Sequence, residues 1–414
     1  MKTKTNSLSI ILCALLLSIG STSTSVGGGP IYSRFGVGDL LRYGGSRIDA
    51  MGGAGISLIG DGFLNRLNPA GIARISFTRF SAGFEYSGYA STDASGSGMY
   101  ARGAFKGLGI GFPISRDNGI AMMLEASPYS TVNYATQTSD SVVQQDFYGT
   151  GGLSMISVGA TWAPLKRLTL GAKMNHVYGR IRQVGGFTFS VPTFLNSEVH
   201  RSDYYGGFTF TIGSIFDGFG DLFNSPALEP LSVGFVLTTP TTLSVDLESV
   251  LSSSESTDTT FTGLGKVNLP VSFGFGLSYL FANRYVVTGD ASFMQWQNAQ
   301  FFGITSPHMR NSARFGIGFE ALPQRETESF LQRIAYRAGI YYNATNYFIN
   351  GIGIDEIFLT GGFGVPIGPD TRLNIGLQAG TRGTTTNNLQ RDMIFRLSLS
   401  VSASEFWFMK VEDE

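Results

Sequence analysis

The sequence is poor in the residues on which most enzymes and disulfide-stapled proteins depend. Its 414 residues include one cysteine, Cys13, and three histidines. Cys13 lies in an apolar stretch that we interpret below as part of an export signal, so the mature chain offers no thiol for a disulfide, a metal site or a nucleophile. His176, His200 and His308 have no metal-site spacing, and no nucleophile elbow or phosphate-binding loop is present. We therefore expect no enzymatic activity, no metal and no cofactor.

Charged residues and long apolar runs are also scarce. Charged residues make up 14% of the chain, whereas about 25% is usual in soluble proteins. The formal net charge of −1 gives no electrostatic basis for binding nucleic acid. Beyond the first 25 residues, no apolar run approaches the roughly 20 residues of a transmembrane helix. What the chain does contain is glycine, at 55 residues, and aromatics, at 13%. This composition favours an exported β-barrel over a soluble enzyme.

Residues 1–25 have the form of an export signal. Lys2 and Lys4 precede an apolar run at residues 8–19, and small residues follow it. The run, about a dozen residues long, is too short to cross a bilayer. The alternative is a buried core helix. We expect this segment to be removed on export.

From about residue 76 onward, apolar residues alternate with small or polar ones at the period of a β-strand. For example, Phe273, Phe275 and Leu277 alternate with Gly274 and Gly276. A soluble sandwich also alternates, with its apolar face inward. Here the apolar faces are large and aromatic while the polar faces are rich in Gly and Ser, which favours a sheet that closes in lipid. We therefore expect an all-β fold, a transmembrane antiparallel β-barrel.

About fourteen segments follow this pattern, each longer than the 9–11 residues needed to cross a bilayer. An even number, with short turns on one side and longer polar loops on the other, places both termini in the periplasm. The longer loops are predicted at 134–145, 184–199, 249–258 and 298–310. The segments are 76–91, 97–112, 119–133, 146–163, 167–183, 200–214, 231–248, 259–281, 284–297, 311–322, 333–348, 355–366, 371–382 and 392–406.

The stretch before the first strand is rich in glycine and alternates poorly. We interpret residues 26–75 as a hatch that plugs the lumen and residues 76–414 as the barrel around it. Alternation places charged side chains on the inner face, where we expect them to pair with one another and with charged hatch residues. The inner set is Glu85, Arg102, Lys106, Glu125, Lys173, Asp290, Arg314, Glu320, Arg337 and Arg396, and the hatch set is Arg34, Asp39, Arg42, Asp49 and Asp61. Any apolar pocket is then expected to come from the hatch and the loops.

Three stretches carry a family resemblance when they are taken together. They are Gly52-Gly53-Ala54-Gly55 with Asn68-Pro69-Ala70-Gly71, the strand pair from Leu269-Pro270 to Trp296, and the C-terminal third from Tyr336-Arg337-Ala338-Gly339 through Gly361-Gly362-Phe363-Gly364 to Arg382-Gly383. They resemble the FadL/TodX family of outer-membrane transporters for long-chain fatty acids and aromatic hydrocarbons. The resemblance covers most of the mature chain. The opening Tyr32-Ser33-Arg34-Phe35-Gly36-Val37-Gly38-Asp39 looks like Bacteroidota members of that family.

The resemblance implies a fourteen-stranded barrel with an N-terminal hatch, in the outer membrane of a Gram-negative bacterium. It implies passive uptake of long-chain fatty acids or other hydrophobic compounds, such as aromatic hydrocarbons. It also implies a lateral exit in the third strand beside the hatch motif Asn68, Pro69 and Ala70. The third strand carries Ser127-Pro128-Tyr129, and a proline lacks a ladder donor, so a break there would suit such an opening. The alternative is that Pro128 lies beyond the membrane.

The outer loops supply five phenylalanines as candidates for capturing a hydrophobic ligand, although they could also only pack loop against loop. They are Phe187, Phe189, Phe194, Phe301 and Phe302. Expected partners are hydrophobic small molecules, membrane lipid and the barrel assembly machinery, for which Phe406-Trp407-Phe408 is a recognition candidate. We expect a monomer. The alternative function is an accessory outer-membrane barrel that binds partner proteins, as secretion-associated relatives do, without carrying a small molecule.

Overall fold

The computed structural model describes residues 30–191, 193–253, 258–324, 327–368 and 370–405. The predicted export signal at 1–25, which contains Cys13, lies outside the described residues, as does the aromatic cluster Phe406-Trp407-Phe408.

The chain forms a closed, all-β barrel of fourteen antiparallel strands, which confirms the antiparallel β-barrel and the strand count expected from the alternation. The first strand pairs with the last, from Thr78 opposite Glu405 to Thr92 opposite Arg391, and this ladder closes the sheet. The strands are β1 (Thr78–Thr92), β2 (Ser97–Ser115), β3 (Ile120–Pro128 and Ser130–Ser139), β4 (Val143–Leu165), β5 (Leu168–Phe189), β6 (Ser197–Phe216), β7 (Leu231–Thr238 and Thr241–Ser253), β8 (Thr259–Leu269 and Ser272–Phe281), β9 (Tyr285–Met294), β10 (Ser312–Ala321), β11 (Ala335–Ile349), β12 (Ile352–Pro366), β13 (Arg372–Gly383) and β14 (Arg391–Glu405).

Helices are few and short. Within the described residues, the α-helices are α1 (Ser46–Asp49) and α2 (Phe219–Phe223). The 3-10 helices are Ile31–Arg34, Pro69–Ile72, Pro226–Leu228, Trp296–Asn298, Phe330–Arg333 and Thr386–Asn388, and the short strands are Asp39–Leu40, Gln300–Phe301 and Ile304–Thr305. Among the described residues, no helix has the length and apolar character needed to cross a bilayer.

The apolar faces of the strands point outward. Phe273, Phe275 and Leu277 on β8 are 36%, 45% and 44% exposed, while Gly274 and Gly276 between them are buried. In a soluble sandwich these apolar side chains would be the buried ones. The exposed apolar rows therefore distinguish this barrel from a sandwich and give it an outer surface suited to lipid.

The prediction of polar loops at 134–145, 184–199 and 249–258 was wrong, because much of each range is strand. β4, β5 and β6 have 23, 22 and 20 residues, about twice the length needed to cross a bilayer. The ladder continues through polar pairs such as Gln137 opposite Asp146. A polar stretch of sequence does not exclude a strand, because a paired strand that does not face lipid needs no apolar side chains.

Strand β3 is interrupted at Tyr129, and its faces exchange there. Before the break the buried residues are Ala121, Met123 and Glu125, at odd positions, and after it they are Ser130, Val132 and Tyr134, at even positions. One extra residue in a strand reverses the alternation, as a bulge does. The second half of β3 therefore turns a different set of side chains toward the interior than a continuous strand would.

The N-terminal segment, residues 30–75, packs against the buried faces of the strands. Asp290 of β9 accepts hydrogen bonds from the backbone N–H of Gly55, at 2.8 Å, and of Ile56, at 3.0 Å. Gly52 donates to Thr360 Oγ1 of β12 at 2.9 Å. The segment is thereby tied to the wall at β9 and at β12.

Candidate functional site

A cavity of about 360 Å³ lies between the N-terminal segment and the strands. One part of its lining is apolar: Leu40 and Leu41 of the N-terminal segment, Tyr129 of β3, Met155 of β4, Leu269 of β8 and Met294 of β9. Tyr129, Met155 and Met294 pack on a buried cluster that includes Val132 and Leu153. The expectation that only hatch and loops would supply apolar lining was therefore wrong, because wall strands contribute as well. The reversed face of β3 is one reason for this.

The other part of the lining is charged, and most of its charged side chains form ion pairs. Lys106 Nζ lies 3.1 Å from Glu85 Oε2, and Lys173 Nζ lies 3.5 Å from Glu125 Oε2. Both carboxylates are buried, so the partners offset the desolvation that isolated charges would suffer. The charged inner face expected from alternation is therefore present, and the cavity is amphipathic rather than uniformly apolar.

Charged residues of the N-terminal segment complete this network from the inside. Ion pairs join the segment to the barrel strands, so its position is fixed by charge as well as by packing. Among them are Asp39 with Arg382 at 2.7 Å, Arg42 with Asp290 at 3.3 Å, Arg47 with Glu320 at 2.5 Å and Arg66 with Glu125 at 2.8 Å. The predicted Asp61 also pairs, with Arg79 at 3.2 Å, whereas Arg34 stacks over the ring of Phe35.

A fork between β2 and β3 borders the cavity. Their ladder runs from Ser115 opposite Ile120 to Leu108 opposite Ala126 and ends there. Among the described residues, no ladder pair joins the 97–107 part of β2 to a strand on that side. Ser127-Pro128-Tyr129, the predicted lateral-opening residues, sit where the two strands part, and all three line the cavity.

The N-terminal segment occupies the β3 side of this fork. Its short strand pairs Asp39 with Thr131 and Leu40 with Ser130, and the N–H of Leu41 donates to Tyr129 O at 2.9 Å. The backbone that the interruption of β3 would leave unpaired is thereby satisfied by the chain's own leading segment. Gly38 has φ +91°, and a Cβ there would lie 2.5 Å from Thr131 O, so this approach requires glycine.

The motif Asn68-Pro69-Ala70 lies against β5 and β6 rather than at the fork. Asn68 is fully buried, and its Nδ2 donates to Ile56 O at 2.8 Å and to Ser214 O of β6 at 3.1 Å. Its Oδ1 accepts from Ala70 N at 3.0 Å and caps the 3-10 helix that Pro69 begins. The motif therefore anchors the segment to one side of the wall, while residues 37–41 reach β3 on another.

The five phenylalanine candidates lie in two separate groups. On the hairpin between β5 and β6, Phe187 packs edge-on to Phe147, and Phe189 packs against Phe194 with ring centroids 5.3 Å apart. Phe301 packs against two buried clusters, and Phe302, 37% exposed, lies under the guanidinium of Arg201. None of these five described residues lines the cavity.

A family model described as BamG matches residues 4–412 of the chain. The chain belongs to the BamG family. No curated protein sequence matches it.

Several solved structures have the same fold as this BamG-family chain. The CymD monoaromatic hydrocarbon channel is 15% identical, with a TM-score of 0.60 and coverage of 91% of this chain and 100% of that one. The toluene transporter TbuX of Ralstonia pickettii is 16% identical, with a TM-score of 0.60 and coverage of 87% and 98%. A FadL homologue of Pseudomonas aeruginosa is 13% identical, with a TM-score of 0.61 and coverage of 88% and 99%. Similarity at these identities shows the barrel fold alone.

Sequence reasoning missed three residues that organise the site in this BamG-family barrel. Arg47 and Arg66 pair with Glu320 and Glu125, and Arg382 pairs with Asp39. A signal was available for the last two: an isolated arginine in a low-charge chain needs a buried carboxylate partner. Which carboxylate each one meets depends on the path of an irregular segment, and no periodicity encodes that path.

Asp49 is the charged residue of the segment whose carboxylate is least satisfied. It is buried, and its Oδ2 has no hydrogen-bond partner. Burial raises the pKa of Asp49 from 3.8 to about 7, with Lys106 opposing and Glu85 reinforcing that shift, and with Arg314 and Arg396 opposing it further. Near neutral pH this group therefore exchanges a proton.

Replacing Asp49 by Asn should reduce the loss of folding stability that follows when the pH is raised from about 4 to about 7. Because the pKa of the folded state lies above that of the unfolded chain, Asp49 costs no stability below about pH 4 and costs progressively more as pH rises to about 7. The full cost corresponds to at most about 4 kcal/mol. Urea unfolding in detergent at pH 5 and pH 8 measures it. The wild type should lose more stability than Asp49→Asn between these values.

The exposed Asp221 provides the control for this comparison. Asp221 lies in α2, its side chain is 70% exposed, and its carboxylate pairs with Arg167. Asp221→Asn should therefore follow the wild-type pH dependence. An Asp49→Asn protein with the same pH response as wild type would contradict the assignment of a proton equilibrium to this carboxyl.

Proposed function

We propose that this BamG-family barrel is an outer-membrane channel of a Gram-negative bacterium for the passive uptake of hydrophobic compounds. In this proposal residues 26–75 are the hatch, residues 76–414 form the wall, and residues 1–25 are removed on export. The observation that carries the proposal is the fork between β2 and β3, because it adjoins the cavity and its β3 side is paired with the chain's own residues 37–41.

Long-chain fatty acids are the cargo class that this cavity suits best. Its apolar side, with Tyr129, Met155 and Leu269, can take a hydrocarbon chain, and its charged side can take a carboxylate. Burying a chain gains about 25 cal/mol per Å² of apolar surface. A carboxylate gains a charge-assisted hydrogen bond from an inward arginine. Aromatic hydrocarbons would use the apolar side alone.

The exit would lie at Ser127, Pro128 and Tyr129. To open it, the two ladder pairs of Asp39 and Leu40 with β3 must separate, together with the Leu41 hydrogen bond. These few bonds are a small part of the attachment of the hatch. Asn68, Pro69 and Ala70, held against β5 and β6, would keep the rest of the hatch seated while residues 37–41 move.

Capture would take place at the outer hairpins and loops, where Phe187, Phe189, Phe194, Phe301 and Phe302 provide apolar rings. Phe194 is 56% exposed and Phe302 is 37% exposed. An exposed aromatic on a polar loop offers a weak site for an apolar ligand, which then transfers to the more enclosed cavity.

Uptake of a fluorescent long-chain fatty acid into liposomes tests this function. Liposomes containing the purified barrel should take up the probe faster than liposomes containing an unrelated barrel at equal density. Equal rates in the two preparations would sink the transport proposal.

The second candidate is an accessory barrel that binds partner proteins and carries no small molecule. It is favoured by the long paired hairpins of β4, β5 and β6, which extend well beyond the length of a membrane crossing. The ion-paired interior favours it as well, because it leaves only one part of the cavity apolar. Failure of uptake together with specific protein capture would select this candidate.

A further inference from the structure

Strand β2 has a free backbone edge in the half of the barrel above the fork. On the β1 side, β2 is paired along its length, from Arg79 opposite Gly111 to Thr92 opposite Ser97, with one register shift at Lys106. On the β3 side, pairing stops at Leu108. Because alternate residues of a strand turn their N–H and C=O to the same side, about five residues between 97 and 107 turn both groups into the fork.

The side chains along this edge indicate a lipid environment. Met99, Phe105 and Leu108 point outward and are 88%, 53% and 49% exposed. In lipid, a free backbone edge has no water to satisfy it and must find another hydrogen-bonding partner. One side-chain bond crosses the fork, from Arg102 Nη1 to Thr131 Oγ1 at 2.9 Å, and it leaves the backbone of β2 unpaired.

The opposite side of the fork is already closed by strand addition. Asp39–Leu40 pairs with Ser130 and Thr131, and Asn133 N donates to Ser33 Oγ. The chain's own leading segment thus pairs with the edge of β3 but with no backbone group of 97–107 in the described structure. The fork accepts an added strand, and one of its two edges is still free.

We propose that the 97–107 edge of β2 binds an extended β-strand of another protein in the same membrane. The added strand runs antiparallel to β2, in the direction of β3. It presents apolar side chains to lipid beside Met99 and Phe105 and small or polar ones toward Tyr100 and Arg102. This inference does not depend on transport through the cavity.

A second copy of this chain does not fit the edge. Two barrels with the same orientation in one membrane, related by rotation about the membrane normal, present β2 strands that run in the same direction. Their edges could meet only in parallel, whereas β2 is antiparallel to β1 on its other side. The occupant is therefore a strand from a different chain, supplied by an open sheet or an extended segment.

Site-specific photo-crosslinking in cells tests the proposal. The probe p-benzoylphenylalanine replaces Met99, Ala101 or Phe105, one at a time, in the full chain. Matched controls place it at Phe315, Ile317 or Phe319, which also point outward, on β10, a strand paired on both sides. The heat-dependent shift in electrophoretic mobility confirms that each variant forms a barrel.

We expect the β2 probes, and not the β10 probes, to form an adduct with one protein. Mapped by mass spectrometry, the adducts should fall on one segment and step toward its N-terminus as the probe moves from position 99 to 105. That order is the signature of an antiparallel ladder. The proposal is overturned if the adducts form only with lipid, with a second copy, with residues 131–139 of the same chain, or with the proteins that the β10 probes capture. It is also overturned if the adduct positions on the partner are scattered or run in the parallel order.

Discussion

Replacing Glu320 by Gln should lower the free energy of unfolding by about 3–5 kcal/mol, the largest single effect expected in this protein. Glu320 is 1% exposed and accepts from Arg47 Nη2 at 2.5 Å and from Arg337 Nε at 2.8 Å. Gln keeps the shape but removes the charge, so two guanidinium groups remain in a buried site without a counter-charge. Urea unfolding of the detergent-solubilised barrel measures the loss.

Glu229 is the matched control for this substitution. It also pairs with an arginine, Arg167, at 3.5 Å, but its side chain is 62% exposed. Water screens such a pair, so Glu229→Gln should change stability by less than about 1 kcal/mol. Equal effects of Glu229→Gln and Glu320→Gln would contradict the view that buried charge pairs fix the N-terminal segment in place.

Replacing Gly52 by Ala should destabilise the protein by about 3 kcal/mol or more, because two costs combine. Gly52 has φ +65°, which a side chain disfavours. Its Cβ would also lie 2.5 Å from Ile340 O and 2.7 Å from Ile317 O. These are backbone atoms of β10 and β11, so the wall cannot yield without breaking its own ladder. Unfolding in urea and protease cleavage within residues 30–75 measure the effect.

Gly62 provides a control in the same segment. A Cβ there meets no atom within 4 Å, so Gly62→Ala should stay within about 0.5 kcal/mol of wild type. If Gly52→Ala were as stable as Gly62→Ala, with unchanged cleavage of the segment, the close seating of residues 50–56 against β10 and β11 would be wrong.

The barrel could be predicted from sequence because its determinants are local. Rows such as Phe315, Ile317 and Phe319 repeat at every second residue, and that spacing specifies both strand and outward face. The charged inner face followed from the same alternation. The strand count was right for this reason, while strand ends in the β4–β6 hairpins were wrong because the polar ends of these paired strands have no apolar row to mark them.

The candidate site was predicted only in part, because it depends on non-local pairing. Pro128 marked a break in β3, since a proline lacks the ladder donor. The exchange of faces after Tyr129 and the pairing of Asp39–Leu40 with β3 have no local signature. A two-residue strand in a glycine-rich segment is specified by the strand it pairs with, and here that partner, Ser130 and Thr131 of β3, lies far along the sequence.

The route of the cargo is the central claim, and one engineered disulfide tests it directly. Leu40 and Ser130 are opposite each other in the short ladder at the fork. Residues opposite each other in an antiparallel ladder lie about 4.5–5.5 Å apart at Cα, within the range that a disulfide spans. The single natural cysteine, Cys13, lies in the predicted export signal. The variant Leu40→Cys with Ser130→Cys can therefore be locked by oxidation and released by reduction in the same preparation.

The measurement is the uptake of a fluorescent long-chain fatty acid into liposomes containing this double variant. We predict uptake well above that of an unrelated barrel when it is reduced and uptake no higher than that of the unrelated barrel when it is oxidised. Equal uptake in the two states, well above that of the unrelated barrel, would contradict an exit between β2 and β3.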